Sequence, residues 1–279
     1  SKFGISKNKL KKEIRDIKKQ GVYIAEQKEY HKPTKYYIPL KLPQQKPLKV
    51  DTDYFALTSD WHIGSKYAEE ECLLDYLDTI KDYGIKDVFV GGDILDGVNV
   101  YQGQVNDLLP DCVNLQGQIE RADKLIKKDN NLKKVLISGN HDLRNYQKQG
   151  IDPVKLLTDS RKDMEYLGQY YGRAKLKDDL VLELVHPSGS APYSKDYRIM
   201  TYLRERPIDT YPDILGVGHL HTALYRDYQG TNSYLLGSFM GDTDFTRRKG
   251  LSGTVGGWVV ELDVEDGQIK KIKNELVKY

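Results

Sequence analysis

Five of the six histidines in this 279-residue chain fall into an ordered series of short segments: Asp60-Trp61-His62, Gly92-Asp93-Ile94-Leu95-Asp96, Gly139-Asn140-His141-Asp142, His186, and Gly218-His219-Leu220-His221. Imidazole nitrogen, carboxylate oxygen and amide oxygen are the donors that Mn, Fe or Zn accept where thiolates are absent. Neither cysteine, Cys72 or Cys112, lies in any of these segments. The set supplies donors enough for two divalent ions, and its chemistry is that of a metal-dependent hydrolase.

Such residues must be delivered to one place. Each segment follows an apolar run with the composition of a buried strand: Tyr54–Thr58 before Asp60, 88–90 before Asp93, 135–137 before Asn140, Val181–Val185 before His186, and Ile214–Val217 before His219. Loops leaving one edge of a central sheet converge, so residues distant in sequence can share one site. A lone histidine at a strand end is usually a hydrogen-bonded core or surface residue. Five segments with the same placement make that plain reading a poor one. Gly91, Gly92, Gly139 and Gly218 precede ligands, as expected where backbone turns sharply to deliver a side chain.

The ordered set D-x-H, G-D-x-x-D, G-N-H-D, H, G-H-x-H resembles the calcineurin-like metallophosphoesterase superfamily, with all five blocks intact between Tyr54 and Glu261. The resemblance implies a four-layer αββα sandwich. It implies one metal held by Asp60, His62, Asp93 and His221 and a second by Asp93, Asn140, His186 and His219, with Asp93 bridging. The expected cofactor is a pair of divalent ions, Mn²⁺ foremost, with Fe or Zn as alternatives. Two cations about 3.5 to 4 Å apart share a water or hydroxide and hold phosphate oxygens for in-line attack. By the same resemblance, His141 is the group that assists departure of the leaving oxygen, and Asp96 hydrogen-bonds His141. A loop-capping carboxylate is the plain alternative for Asp96. Asp142 is expected to fix its loop through backbone hydrogen bonds.

Around these blocks the pattern reads strand, helix, strand, helix, strand over 54–139, with helices predicted over 69–83 and 105–128. Further on it predicts two strands within 170–185 around Lys177-Asp178-Asp179, a helix over 197–206, a hairpin over 224–236, and a closing strand pair over 256–273. At the N-terminus a helix over 6–20 carries Leu10, Ile14 and Ile17 at helical spacing, followed by a short strand near Tyr23 and another over 35–42. This order resembles part of a winged helix, short of its full helix count. The proline-bearing stretch 42–48 is the candidate linker, which divides the chain into a small basic α+β extension, 1–49, and a catalytic domain, 50–279.

Residues 1–50 hold 14 Lys/Arg against 4 Asp/Glu, while the remainder holds 29 against 37. A basic module on an acidic body suits a polyanion partner, and Tyr23, Tyr30, Tyr36 and Tyr37 among the lysines could stack on bases. A solvated helix face explains the same lysines equally well. No apolar window matches a membrane span and no signal core is visible. With cysteines that lack ligand spacing, the sequence points to the cytoplasm and to no membrane partner.

For substrate, the basic arm and the run Thr246-Arg247-Arg248-Lys249-Gly250, for which a solvated surface run is an equal alternative, favour a nuclease. The G-N-H-D, H-P-x-G and R-R-K-G-L segments together resemble phage and archaeal phosphoesterases related to DNA exonucleases, including the small subunit of archaeal D-family polymerase. The second block reads Gly92-Asp93-Ile94-Leu95-Asp96-Gly97, without the arginine that follows it in protein phosphatases. Arg144, Arg247 and Arg248 are the candidate phosphate contacts in its place, each with a plain surface alternative. The expectation is a two-metal phosphodiesterase acting on DNA as an exonuclease-like enzyme. A small- or cyclic-nucleotide phosphodiesterase, a phosphomonoesterase, and a non-enzymatic replication or repair scaffold are the alternatives, with replication or repair proteins or a second copy of the chain as further partners.

Overall fold

The computed structural model describes residues 9–10, 12–14, 25–27, 35–37, 47–144, 146, 150–189, 194–250 and 252–279. Two compact units divide the chain, 1–46 with 203–211, and 47–202 with 212–279. In the first, β1 (Ala25–Gln27) pairs antiparallel with β2 (Lys35–Tyr37), and residues 9–10 and 12–14 are helical. The strand expected near Tyr23, Tyr30 and the linker as far as residue 46 lie outside the described residues. The linker's end does not hold as linker: Leu48–Lys49 is β3, running parallel to β8 (Tyr171–Lys175) at a sheet edge.

The second unit is built on two six-stranded sheets. One contains β4 (Tyr54–Thr58), β5 (Asp87–Val90), β6 (Lys133–Ser138) and β7 (Met164–Gln169) in parallel, with β13 (Gly256–Glu265) and β14 (Gln268–Lys278) added antiparallel beside β4. The other runs β11 (Leu224–Tyr228), β12 (Thr231–Leu235), β10 (Ile214–Val217), β9 (Val181–Val185), β8 and β3.

The ligand-bearing strands read as unbroken apolar runs because both their faces are buried. Phe55, Leu57, Phe89, Val135 and Ile137 turn inward to meet Leu182, Leu184, Ile214 and Tyr234 of the facing sheet. Their alternates Ala56, Val88, Val90 and Leu136 turn outward onto helices. The period of two along a strand thus loads two cores at once, and each such side chain contributes about 1.5 to 3 kcal/mol by leaving water. The outer helices are Glu70–Asp82, which buries Leu73, Tyr76, Leu77 and Ile80, Leu115–Leu125 and Pro153–Asp159. On the far side, Tyr202 of the helix Tyr197–Arg204 donates to Glu183 on the outward face of β9 at 2.8 Å. The layers therefore run helix, sheet, sheet, helix, as the resemblance implied.

The helix predicted over 105–128 begins only at Leu115. Pro110 has no N–H to continue a helix and holds Leu109 extended, so short 3-10 turns occupy Gln104–Asn106 and Pro110–Cys112. Asn114 then caps the helix by accepting from Gly117 N at 2.9 Å. Among the described residues no helix is long and apolar enough to cross a membrane.

Candidate metal centre

Three ligand segments leave the ends of β4, β5 and β6 in one sheet, and two leave β9 and β10 in the other, so the site forms where the same edge of both sheets meets. Five of the seven expected ligands, Asp60, His62, Asp93, His219 and His221, adopt φ between 46° and 76°. This left-handed conformation costs a non-glycine residue about 1 to 2 kcal/mol and persists where the surroundings enforce it. It turns the chain just beyond β4, β5 and β10, whereas Asn140 after β6 and His186 after β9 keep ordinary φ.

The side chains gather into two groups, Asp60 with His62 and His221, and Asp93 with His186 and His219. In the first, His221 Nε2 lies 3.2 Å from Asp60 Oδ1 and 3.1 Å from His62 Nε2. In the second, His186 Nε2 lies 3.1 Å from both Asp93 Oδ2 and Asn140 Oδ1. Donors about 2.1 Å from a shared tetrahedral ion sit about 3.4 Å apart, so these spacings are those of a coordination shell. Asp93 Oδ2 also faces His62 Nε2 at 4.0 Å, which turns one oxygen toward both groups. Its other oxygen accepts from His141 N at 2.8 Å. A third cluster, His62, Asp96 and His141, lies on the opposite nitrogen of His62 and orients rather than extends the set.

Divalent cations fit this donor set on an independent count. Asp60 Oδ1 is buried and faces the His221 and His62 rings at 3.2 and 3.8 Å without the geometry of a hydrogen bond, while Oδ2 accepts from His219 N at 2.9 Å. A buried carboxylate oxygen left bare is costly unless a cation meets it. The ring nitrogens are pre-sorted in the same way: His186 Nδ1 is bonded to Gly91 O and His219 Nε2 to Gly189 O, each at 2.7 Å, which leaves the other nitrogen for a metal. Burial would raise the Asp60 carboxyl, yet the imidazoles of His221 and His62 outweigh it and hold it well below the usual range. Burial would lower His186, but Asp93 and Asp60 outweigh it and push the ring up to about 9. Asp60, His62, Asp93 and His186 form a buried floor, whereas His141 and His221 are 17% and 27% exposed and form the mouth.

Asp96 differs from expectation in its partner. Its main-chain oxygen accepts from His141 Nδ1 at 2.7 Å, whereas its carboxylate stands 3.6 Å from that nitrogen. The carboxylate is committed to His62 Nδ1 at 2.9 Å and to the Gln104 amide at 2.7 Å. Asp142 accepts from Ile94 N, Leu95 N and Gly139 N and ties the second block to the third. Two buried glutamines that the sequence did not single out brace this turn. Gln104 accepts from Val100 N, and Gln118 both accepts from Gly97 N and donates to Gly97 O. No motif marks them, because most of their bonds go to backbone groups, Gln104 adding one to the Asp96 carboxylate. Arg144 is exposed and follows the short helix Asn140–Leu143, and Arg247 and Arg248 are exposed on the helix Asp244–Lys249. The structure brings no guanidinium of these three into contact with a ligand side chain.

A two-sheet sandwich with two imidazole–carboxylate groups of metal-ligand spacing at its strand ends is the arrangement that the fold and the site define. Residues 54–223 match the family model described as calcineurin-like phosphoesterase, and the chain belongs to that family. Among curated proteins it is 28% identical over 261 residues to the DNA polymerase II small subunit of Methanocaldococcus jannaschii, covering 76% of this chain and 43% of that one. It is 27% identical over 246 residues to the protein of the same name from Methanothermobacter thermautotrophicus, covering 72% and 50%. The chain therefore spans half or less of the length of these relatives. Among solved structures, an archaeal phosphodiesterase aligns with TM-score 0.44 and 14% identity over 80% of this chain and 99% of that one.

Proposed function

We propose that this chain is a two-metal phosphodiesterase that hydrolyses DNA. The observation that carries the reading is the pair of adjacent donor groups, with Asp93 Oδ2 of one 4.0 Å from His62 Nε2 of the other and His141 fixed beside them but outside both. Asp60, His62, Asp93 and His221 would hold one divalent ion and Asp93, Asn140, His186 and His219 the other. Bound there, the ions supply Lewis acidity toward phosphoryl oxygens and a nucleophilic water near neutral pH. The chain's own contribution is orientation and a proton. His141 Nδ1 is held by Asp96 O, so Nε2 can give its proton to the sugar oxygen as the phosphorus–oxygen bond breaks on the side opposite the attacking water. Asp96 and Gln104 keep His62 from rotating away.

DNA is supported as substrate by the names of the relatives and by the basic N-terminal segment, and those names also support a place beside a polymerase. The test is Mn²⁺-dependent hydrolysis of end-labelled single- and double-stranded DNA, beside RNA, cyclic nucleotides and a chromogenic diester, with Asp93→Asn as the blank. Metal-dependent loss of DNA that vanishes in the blank is expected. Intact DNA with cyclic-nucleotide turnover assigns a small-nucleotide substrate instead. No turnover of any diester by metal-loaded protein refutes the phosphodiesterase reading, and a chain that binds no Mn, Fe or Zn points to the scaffolding one.

A further inference from the structure

Lys195 precedes the helix Tyr197–Arg204 and is half-buried. Its ammonium donates to the Thr222 hydroxyl and, at 3.4 Å, to the main-chain oxygen of Ser252. Both acceptors are neutral, and among the described residues no carboxylate lies within ion-pair distance of this ammonium. Its neighbour Asp196 is engaged elsewhere, by Ser194 and Arg226. Burial lowers the Lys195 ammonium from its ordinary value. A partly desolvated cation resting on two dipoles carries a cost that an anion would relieve.

The acceptors locate that anion. Thr222 directly follows the expected ligand His221. Thr254 N donates to His221 O at 2.8 Å, and Gly253 packs against the same residue. Lys195 therefore spans the two loops that frame His221, whose side chain is itself partly exposed. A strand entering the mouth presents one anion repeatedly, its phosphate. We propose that Lys195 grips a phosphate of the substrate strand flanking the scissile one, the role for which the sequence offered only Arg144, Arg247 and Arg248. This rests on the nucleic-acid reading given above.

Lys195→Gln keeps a donor for Thr222 and Ser252 and removes the charge. The experiment measures binding and cleavage of a short single-stranded DNA by the Mn²⁺-loaded full chain across a salt series. Expected for Lys195→Gln are a KM raised about tenfold at low salt, kcat within about twofold, and a salt slope shallower by roughly 0.7. Lys195→Arg should restore both KM and slope, which a role confined to bracing the loops would not produce. A Lys195→Gln slope equal to the parent's, or an arginine variant as weak as the glutamine one, overturns the proposal. A parent chain that hydrolyses a chromogenic diester but binds DNA without salt dependence overturns the nucleic-acid reading itself.

Discussion

Gly139→Ala probes Asp93, the carboxylate proposed to bridge the ions, without replacing a ligand. A Cβ at this position would sit 2.1 Å from Asp93 Oδ1 and 2.5 Å from Asp93 N. Neither side can yield freely. Asp93 Oδ1 is held by His141 N at 2.8 Å, and Gly139 N is held by the buried Asp142 carboxylate at 2.8 Å. An overpacked contact of this kind costs about 1 to 3 kcal/mol. If the carboxylate moves, that cost falls on metal binding, and 1.4 kcal/mol per decade converts it to a loss of about 5- to 150-fold in affinity. If the loop moves, the cost falls on stability, about 2 to 4 °C in Tm per kcal/mol for a domain of this size. Calorimetric titration with Mn²⁺ and thermal unfolding of the metal-free protein separate the two. Gly84→Ala is the control: its φ is +80° with nothing within 4 Å of a new Cβ, so it should lose about 1 kcal/mol to backbone strain and keep full metal affinity. A Gly139→Ala protein with parental affinity and parental Tm would refute the fixed placement of Asp93.

His141→Ala should keep both metal ions and lose about 10²- to 10⁴-fold in kcat on a diester, read by metal analysis beside steady-state kinetics. Gln104→Ala should weaken metal binding by about 10- to 100-fold through Asp96 and His62, measured by chelator competition, with Gln104→Glu failing to rescue because it loses the amide donor to Asp96. Far from the site, Asp163 neutralises Lys134 and Arg161, all with side chains no more than 2% exposed. Asp163→Ala strands the buried Lys134 and leaves Arg161 to Asp123 at 3.4 Å, and should cost about 3 to 5 kcal/mol in denaturant unfolding. Burial would raise Asp163, but Arg161 and Lys134 hold it below the ordinary carboxylate range, so its stabilisation is present above the unfolded pKa of about 4 and fades as pH falls below it. The alanine variant should lose that part of the acid dependence.

The ligand-bearing strands were legible because both faces of each are buried, which leaves an apolar run that stops abruptly at a polar donor. β7 was not. Glu165, Gly168 and Gln169 break its pattern, and a bulge between Leu136 and Ile137 lets Gly168 rather than Leu167 pair with Ile137. β3 is two residues long and was absorbed into the expected linker. The donors themselves could be read from residue type and order, but the partner of Asp96 could not. His141 is met by a main-chain oxygen, and main-chain atoms leave no signature in the sequence. Gln118 is invisible for the same reason, and Gln104 because its bond to the Asp96 carboxylate joins residues that no motif links. Lys195 sits in no motif, and only its hydrogen bonds to Thr222 and Ser252 in three dimensions bring it to notice.

The division of the ligands between the sheets, three segments from one and two from the other, has a mechanical meaning. Any ion bound by Asp60, His62 and His221 is tied to both layers, and so is any ion bound by Asp93, Asn140, His186 and His219. The pair would act as two reversible staples across the sandwich at the end where its strands stop, closing long chain loops much as a disulfide does. Chelation would then do more than silence chemistry. It would let that rim part, and amide exchange at Thr58, Val90, Ser138, Val185 and Val217 should quicken together while the strand centres stay protected.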